Sequence, residues 1–106
     1  MKRCELYGFA ESDLSVLAQR LEHALQVTFQ ERDSLYRGIY YLWEEDERGL
    51  RLQQNLDAEE GVPMEPDYPH LKSLLWLSAD QQFEILKSKL IATGLGPVLI
   101  NANDSM

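Results

Sequence analysis

The chain has little with which to do chemistry. Its 106 residues include one cysteine, Cys4, and two histidines, His23 and His70. A single thiol cannot form an internal disulfide, which fits a reducing compartment and suggests the cytoplasm, although an odd thiol can still pair between molecules. His23 falls inside a helical pattern and His70 follows a loop, so neither has nearby ligands or bases to complete a metal or nucleophilic site. There is no Gly-rich phosphate loop, no nucleophile elbow and no recognisable Cys–His or Ser–His spacing. Long apolar runs are missing too. The segment Met1–Tyr7 carries Lys2 and Arg3 but then Glu5, which is not a signal-peptide pattern, and no stretch approaches membrane-spanning length. Basic residues are scarce, with ten Lys and Arg against eighteen Asp and Glu, net −8. This shortage disfavours nucleic acid and anionic membranes as partners, because both are held by Lys and Arg.

The acidity is local. From Glu44 to Asp67 nine acids face only Arg48 and Arg51, so this stretch holds net −7 of the chain's −8. A concentrated field suggests a surface for a basic partner. The same charge could also serve only to keep the protein soluble. Calcium is the natural test for such a loop, but from Asp57 the sixth and twelfth positions are Val62 and Tyr68, where an EF-hand needs Gly and a bidentate Glu. Glu44 and Glu45 alternate across a strand and so do not form a cooperating acid–base pair. We therefore expect no catalytic, cofactor or metal residues and no enzyme.

The 44% hydrophobic share and the length suit one domain, residues 1–106, with a single core. Cys4, Leu6 and Phe9 against Arg3, Glu5 and Tyr7 predict a first strand ending near Gly8. Leu14, Leu17, Ala18, Leu21, Ala24, Leu25 and Val27 recur every three or four residues, predicting a helix capped by Ser12 or Asp13. Thr28–Glu31 reads as a strand, and Asp33–Ser34 as a break. Leu35–Glu44, rich in Tyr, Ile and Trp, reads as a central strand covered on both faces. A polar hairpin, Glu45–Gly49, leads to a strand around Leu50–Leu56 with one wet face bearing Gln53, Asn55 and Asp57. Asp57–Pro69 contains three of the four prolines and predicts a long loop. His70–Leu77 resumes as a strand. Ser78 and Gln81 match a capping box for a second helix carrying Phe83, Leu86, Leu90 and Ile91 and stopped by Gly94. Val98–Ile100 predicts a short last strand, with residues 101–106 a frayed tail. The fold class expected is α+β: a two-layer sandwich with a mostly antiparallel sheet of about five to six strands and two helices.

Tyr36, Tyr40, Tyr41, Trp43, Tyr68 and Trp76 form the second informative group, since Tyr and Trp are enriched at binding hot spots. Ile39, Tyr41 and Trp43 belong under the helices. Tyr40, Trp76 and Tyr68 are the aromatics placed for an interface, and Tyr68 lies in the acidic loop itself. The partner-binding set read from charge and exposure is Glu45, Asp46, Glu47, Asp57, Glu59, Glu60, Tyr40 and Tyr68.

Tyr36-Arg37-Gly38-Ile39-Tyr40-Tyr41, then Leu50-Arg51-Leu52-Gln53-Gln54-Asn55, then Tyr68-Pro69 before a leucine-rich strand, in a small acidic chain, resemble bacterial immunity proteins of contact-dependent growth inhibition and related polymorphic toxin systems. The resemblance implies a cytoplasmic protein that binds one cognate toxin domain, often a basic nuclease, and blocks its active site or substrate surface. It transfers no residue roles. Two other readings stay open: a small metal-binding or acid-catalysed enzyme or regulator using the loop carboxylates, and a module that self-associates through the aromatic strand. The oligomeric state is not encoded in any pattern here.

Overall fold

A computed structural model describes the backbone of residues 2–35, 38–57 and 59–105 and the side chains of 3–35, 38–57 and 59–102. Tyr36 and Arg37, part of the resemblance above, lie outside the described residues. The elements among the described residues run β1 (Lys2–Phe9), α1 (Leu14–Leu25), β2 (Gln30–Ser34), β3 (Gly38–Glu45), β4 (Arg48–Gln54), β5 (Ser73–Ala79), α2 (Phe83–Ile91) and β6 (Val98–Ser105). The strands form one sheet in the order β2-β3-β4-β5-β1-β6, with every neighbouring pair antiparallel. Both helices cover the same face. The α+β two-layer sandwich expected from the hydrophobic pattern is the observed architecture.

Asp13 starts α1. Its Oδ1 accepts from the amides of Ser15 at 3.1 Å and Val16 at 3.3 Å, satisfying two of the donors a helix start leaves open. The helix ends where Gln26 takes a left-handed φ of 58°. Leu14, Leu17, Ala18, Leu21 and Leu25 then point at the sheet and pack with Tyr7, Phe9, Leu50, Leu52, Leu75 and Leu77 and with Phe83, Leu86 and Leu90 of α2. Each such leucine contributes about 1.5–3 kcal/mol by leaving water.

A buried ionic group fixes α2. Glu5, on the helix-facing side of β1, meets Lys87 Nζ at 3.2 Å and Arg3 at 3.4 Å and accepts from the Tyr7 hydroxyl; Arg3 also pairs with Glu84 and lies 4.2 Å over the Phe83 ring. Burial and the neighbouring Glu5 carboxylate push the Tyr7 phenol well above its usual range. These groups join a helix to a strand.

Several local expectations change. Phe9 shares the helix-facing side with Tyr7 and Glu5, because side chains alternate strictly and β1 runs unbroken to Phe9. The second strand begins two residues later than expected and includes Asp33 and Ser34. β3 is not central: it lies second from the edge, and Ile39 is exposed, whereas β4 and β5 hold the middle of the sheet. Ser78 sits in β5, so the capping box does not form; α2 starts after Gln82 without a side-chain cap. The expected frayed tail is instead most of β6, which pairs along β1 from Val98 to Ser105, with a register shift that leaves one extra residue at Ile100.

Candidate partner-binding face

The strand register decides what the second face of the sheet carries. Opposite the helices, one row across the sheet reads Leu42, Arg51, Trp76, Leu6, and the next reads Glu44, Gly49, Ser78, Cys4. A third row holds Gln53, Leu74 and Gly8. No helix covers any of them.

The chain between β4 and β5 covers the third row. Asn55 organises it from a buried position: its Nδ2 donates to the carbonyls of Tyr68 at 3.0 Å and Leu71 at 2.8 Å, and its Oδ1 accepts from the Glu65 amide at 2.8 Å. Those two carbonyls require the amide nitrogen on their side, which fixes the side chain's orientation. Leu71 drops onto Gly8, where an added Cβ would stand 2.6 Å from Leu71 Cδ1 and 3.0 Å from Ile100 Cδ1. Glycine is required there by close approach. Met64 Sδ receives Gln53 Nε2, and Gln53 and Leu74 are both 0% exposed. The wet face expected for β4 is therefore half dry: Gln53 and Asn55 are buried.

The first two rows stay open except at Leu6, which is buried. They form a groove of about 250 Å³ lined by Cys4, Leu42, Glu44, Asp46, Gly49, Arg51, Trp76 and Ser78, with Arg48 and Leu50 of β4 completing it. The small residues of one row are its floor, and the Arg51 guanidinium, stacked 4.3 Å from the Trp76 ring centre, is one wall. Gly49 differs from Gly8. An added Cβ would meet only ordinary contacts at 3.7 Å and 3.9 Å, and its φ is not left-handed. Neither backbone nor crowding demands glycine at that position, and its effect is to keep the groove deep.

The acids flank this groove. At one end of β4 the β3–β4 turn holds Glu45, Asp46 and Glu47, with Asp46 in the left-handed region at φ 53°. Asp46 reaches the groove lining, whereas Glu45 turns to Arg48 at 3.3 Å on the helix side, and Arg48 also donates to Gln82. Glu47 lines a separate hollow with Asp80, Gln81 and Gln82, which Asp46 and Arg48 also border. At the other end of β4, Asp57 accepts from the amides of Glu59 at 2.9 Å and Glu60 at 3.1 Å, so its carboxylate builds the turn that displays those two exposed glutamates. Tyr68 is half-buried, with its ring 6.3 Å from that of His70 and its carbonyl held by Asn55. Tyr40 is half-buried on the open face, in register with Arg32 of β2.

The expected partner-binding residues thus divide. Asp46 joins the groove, Tyr40 shares its face, Glu59 and Glu60 rise at the far end, and Asp57, Glu45 and Tyr68 have structural partners. Sequence reasoning did not name Leu42, Glu44 or Arg51 as site residues and left Trp76 out of the final set. Alternation put Leu42 with Tyr40 and Arg51 with Gln53, but their union with Trp76 needed the strand order. Among the described residues no three His, Cys, Asp or Glu side chains gather as a metal-holding group, and no helix is long and apolar enough to cross a membrane. No protein-family model and no curated protein matches the chain.

Proposed function

We propose that the chain is a stoichiometric protein inhibitor of the immunity type, which binds a basic toxin domain across the open face of its sheet. The observation that supports this reading is the groove itself: an uncovered Trp–Arg wall on a rigid sheet, flanked along β4 by acidic connections at both ends. Trp, Tyr and Arg are the residues that anchor interfaces, and clustered charges at the rim steer an oppositely charged partner. A nuclease carries Lys and Arg where phosphates bind, so Asp46, Glu59 and Glu60 would occupy the partner's polyanion site while Trp76 and Leu42 supply the desolvated centre. Inhibition follows from occlusion, without chemistry on either protein.

The test is direct. The toxin domain encoded beside the gene, purified and mixed with the chain at low salt, should lose nuclease activity at one-to-one stoichiometry, with association slowing steeply as salt is added. Full activity in the presence of excess chain would overturn the proposal.

A further inference from the structure

The two edges of the sheet are unlike. β2 is five residues long and places Glu31, Arg32 and Asp33 in succession, the charged, short edge by which sheets avoid pairing with other chains. β6 is eight residues long, and from Val98 to Asn103 it has no charged residue. Among the described residues no strand lies beside its outer side in the sheet. Val98 is 41% exposed and Leu99 47%. Leu99 pairs with Tyr7 and so shares the helix-facing side, where α2 leans over: Glu84 and Lys87 bond Arg3 and Glu5 of β1, and Ile91, 57% exposed, continues their stripe. An uncharged strand edge and an apolar flank therefore coincide.

We propose that β6 pairs with β6 of a second copy, antiparallel and about a twofold axis, to make one continuous sheet across two molecules. A second copy is the occupant that the charge distribution permits. Glu44, Glu45, Asp46 and Glu47 lie at the end of β3 and its turn into β4, three strands or more from β6, and Asp57, Glu59 and Glu60 follow the other end of β4. At about 4.8 Å per strand, pairing through β6 keeps the two acidic regions roughly 30 Å apart, well beyond a screening length of about 8 Å at physiological salt. A basic partner gains nothing from an uncharged edge, whereas an antiparallel twofold pair is self-complementary by construction. β3, the aromatic strand, offers no such edge, since β2 and β4 occupy both its sides. Eight residues at about 3.3 Å and a sheet about 10 Å thick give a contact on the order of 250 Å² per copy, below the ~800 Å² of a standard interface. The dimer is accordingly weak and reversible.

Sedimentation of the wild-type chain across a concentration series from micromolar to millimolar tests this. The mass should rise from 12.3 kDa toward twice that value. Leu99→Lys and Ile91→Lys should each hold the monomer mass throughout, while Leu35→Lys, beside the β2 edge, should behave as wild type. Circular dichroism checks that each variant is folded. Amide exchange in the wild type needs no variant: protection within Val98–Asn103 should increase with concentration. A wild-type chain that stays monomeric, association that survives both β6-side substitutions, or β6 protection seen only after adding a basic toxin domain would each overturn the proposal.

Discussion

Replacing Asn55 tests how the groove acquires its boundary. Its side chain makes three hydrogen bonds, to the Tyr68 carbonyl, the Leu71 carbonyl and the Glu65 amide, from a position only 7% exposed. At about 1 kcal/mol net for each bond, Asn55→Ala should cost about 3 kcal/mol. That is a large part of the ~5–15 kcal/mol available to a domain, and at about 4–8 °C per kcal/mol it lowers Tm by roughly 12 °C or more. Asn55→Asp is the sharper variant. It keeps the acceptor for Glu65 but turns the donor into a carboxylate facing two carbonyls, so at neutral pH it should be at least as damaging as alanine. Burial would raise that carboxyl's pKa in the fold above its unfolded value, so the loss should be worst at high pH and partly recovered as pH falls through the raised pKa. Urea unfolding of both variants between about pH 4 and 8, which spans the carboxylate range and the region above it, is the assay. An Asn55→Asp chain within about 0.5 kcal/mol of wild type at pH 7 would refute the donor role and with it the reason the loop lies on the sheet.

Other expectations follow from the same geometry. Gly8→Val should destabilise by about 1–3 kcal/mol, read by urea unfolding, because even a Cβ collides with Leu71, while Gly49→Ala should fold normally. Trp76→Ala should weaken toxin binding by about 2 kcal/mol, roughly 30-fold by calorimetry, chiefly through a faster off-rate. Reversing Asp46 and Glu47 to Lys should instead slow association in stopped flow and flatten its salt dependence; an unchanged on-rate would remove those acids from the encounter. The hydrogen bond from Ser15, with the bonds from the Val16 and Ser15 amides, holds the Asp13 carboxyl below its usual range. Its folded pKa is depressed, so its contribution is present above the unfolded carboxylate value and is lost as pH falls through the folded one. Asp13→Ser should therefore reduce the acid dependence of stability, measured as urea midpoint against pH.

The helices, the sheet strands and the two-layer class were legible because amphipathic stripes and strand alternation are local signals. The stripe from Leu14 to Val27 declared α1, which stops at Leu25, and Ser12 or Asp13 marked its start, of which Asp13 is the cap. What stayed hidden depends on strand order, which no local pattern carries. The aromatic run of β3 looked central because both its faces are apolar, yet its outer face is finished by half-buried Tyr40 and Leu42 near a charged edge strand. Gln53 and Asn55 looked wet because they are polar, but a loop of eighteen residues between β4 and β5 folds back and gives them partners. Ser78 and Gln81 have the right letters for a capping box, but the pairing of β5 with β1 and β4 claims Ser78 first. The tail from Asn101 has no apolar anchor before Met106, and ladder hydrogen bonds to β1 order it up to Ser105 without one.

The open sheet face as the docking surface is best tested by amide and indole chemical-shift mapping of the chain titrated with the basic toxin domain at low salt. The result expected is saturation at one equivalent, with the largest shifts at Leu42, Glu44, Gly49, Arg51 and the Trp76 indole and smaller ones at Glu59 and Glu60. Shifts confined to α1 and α2, or none at all, would contradict it.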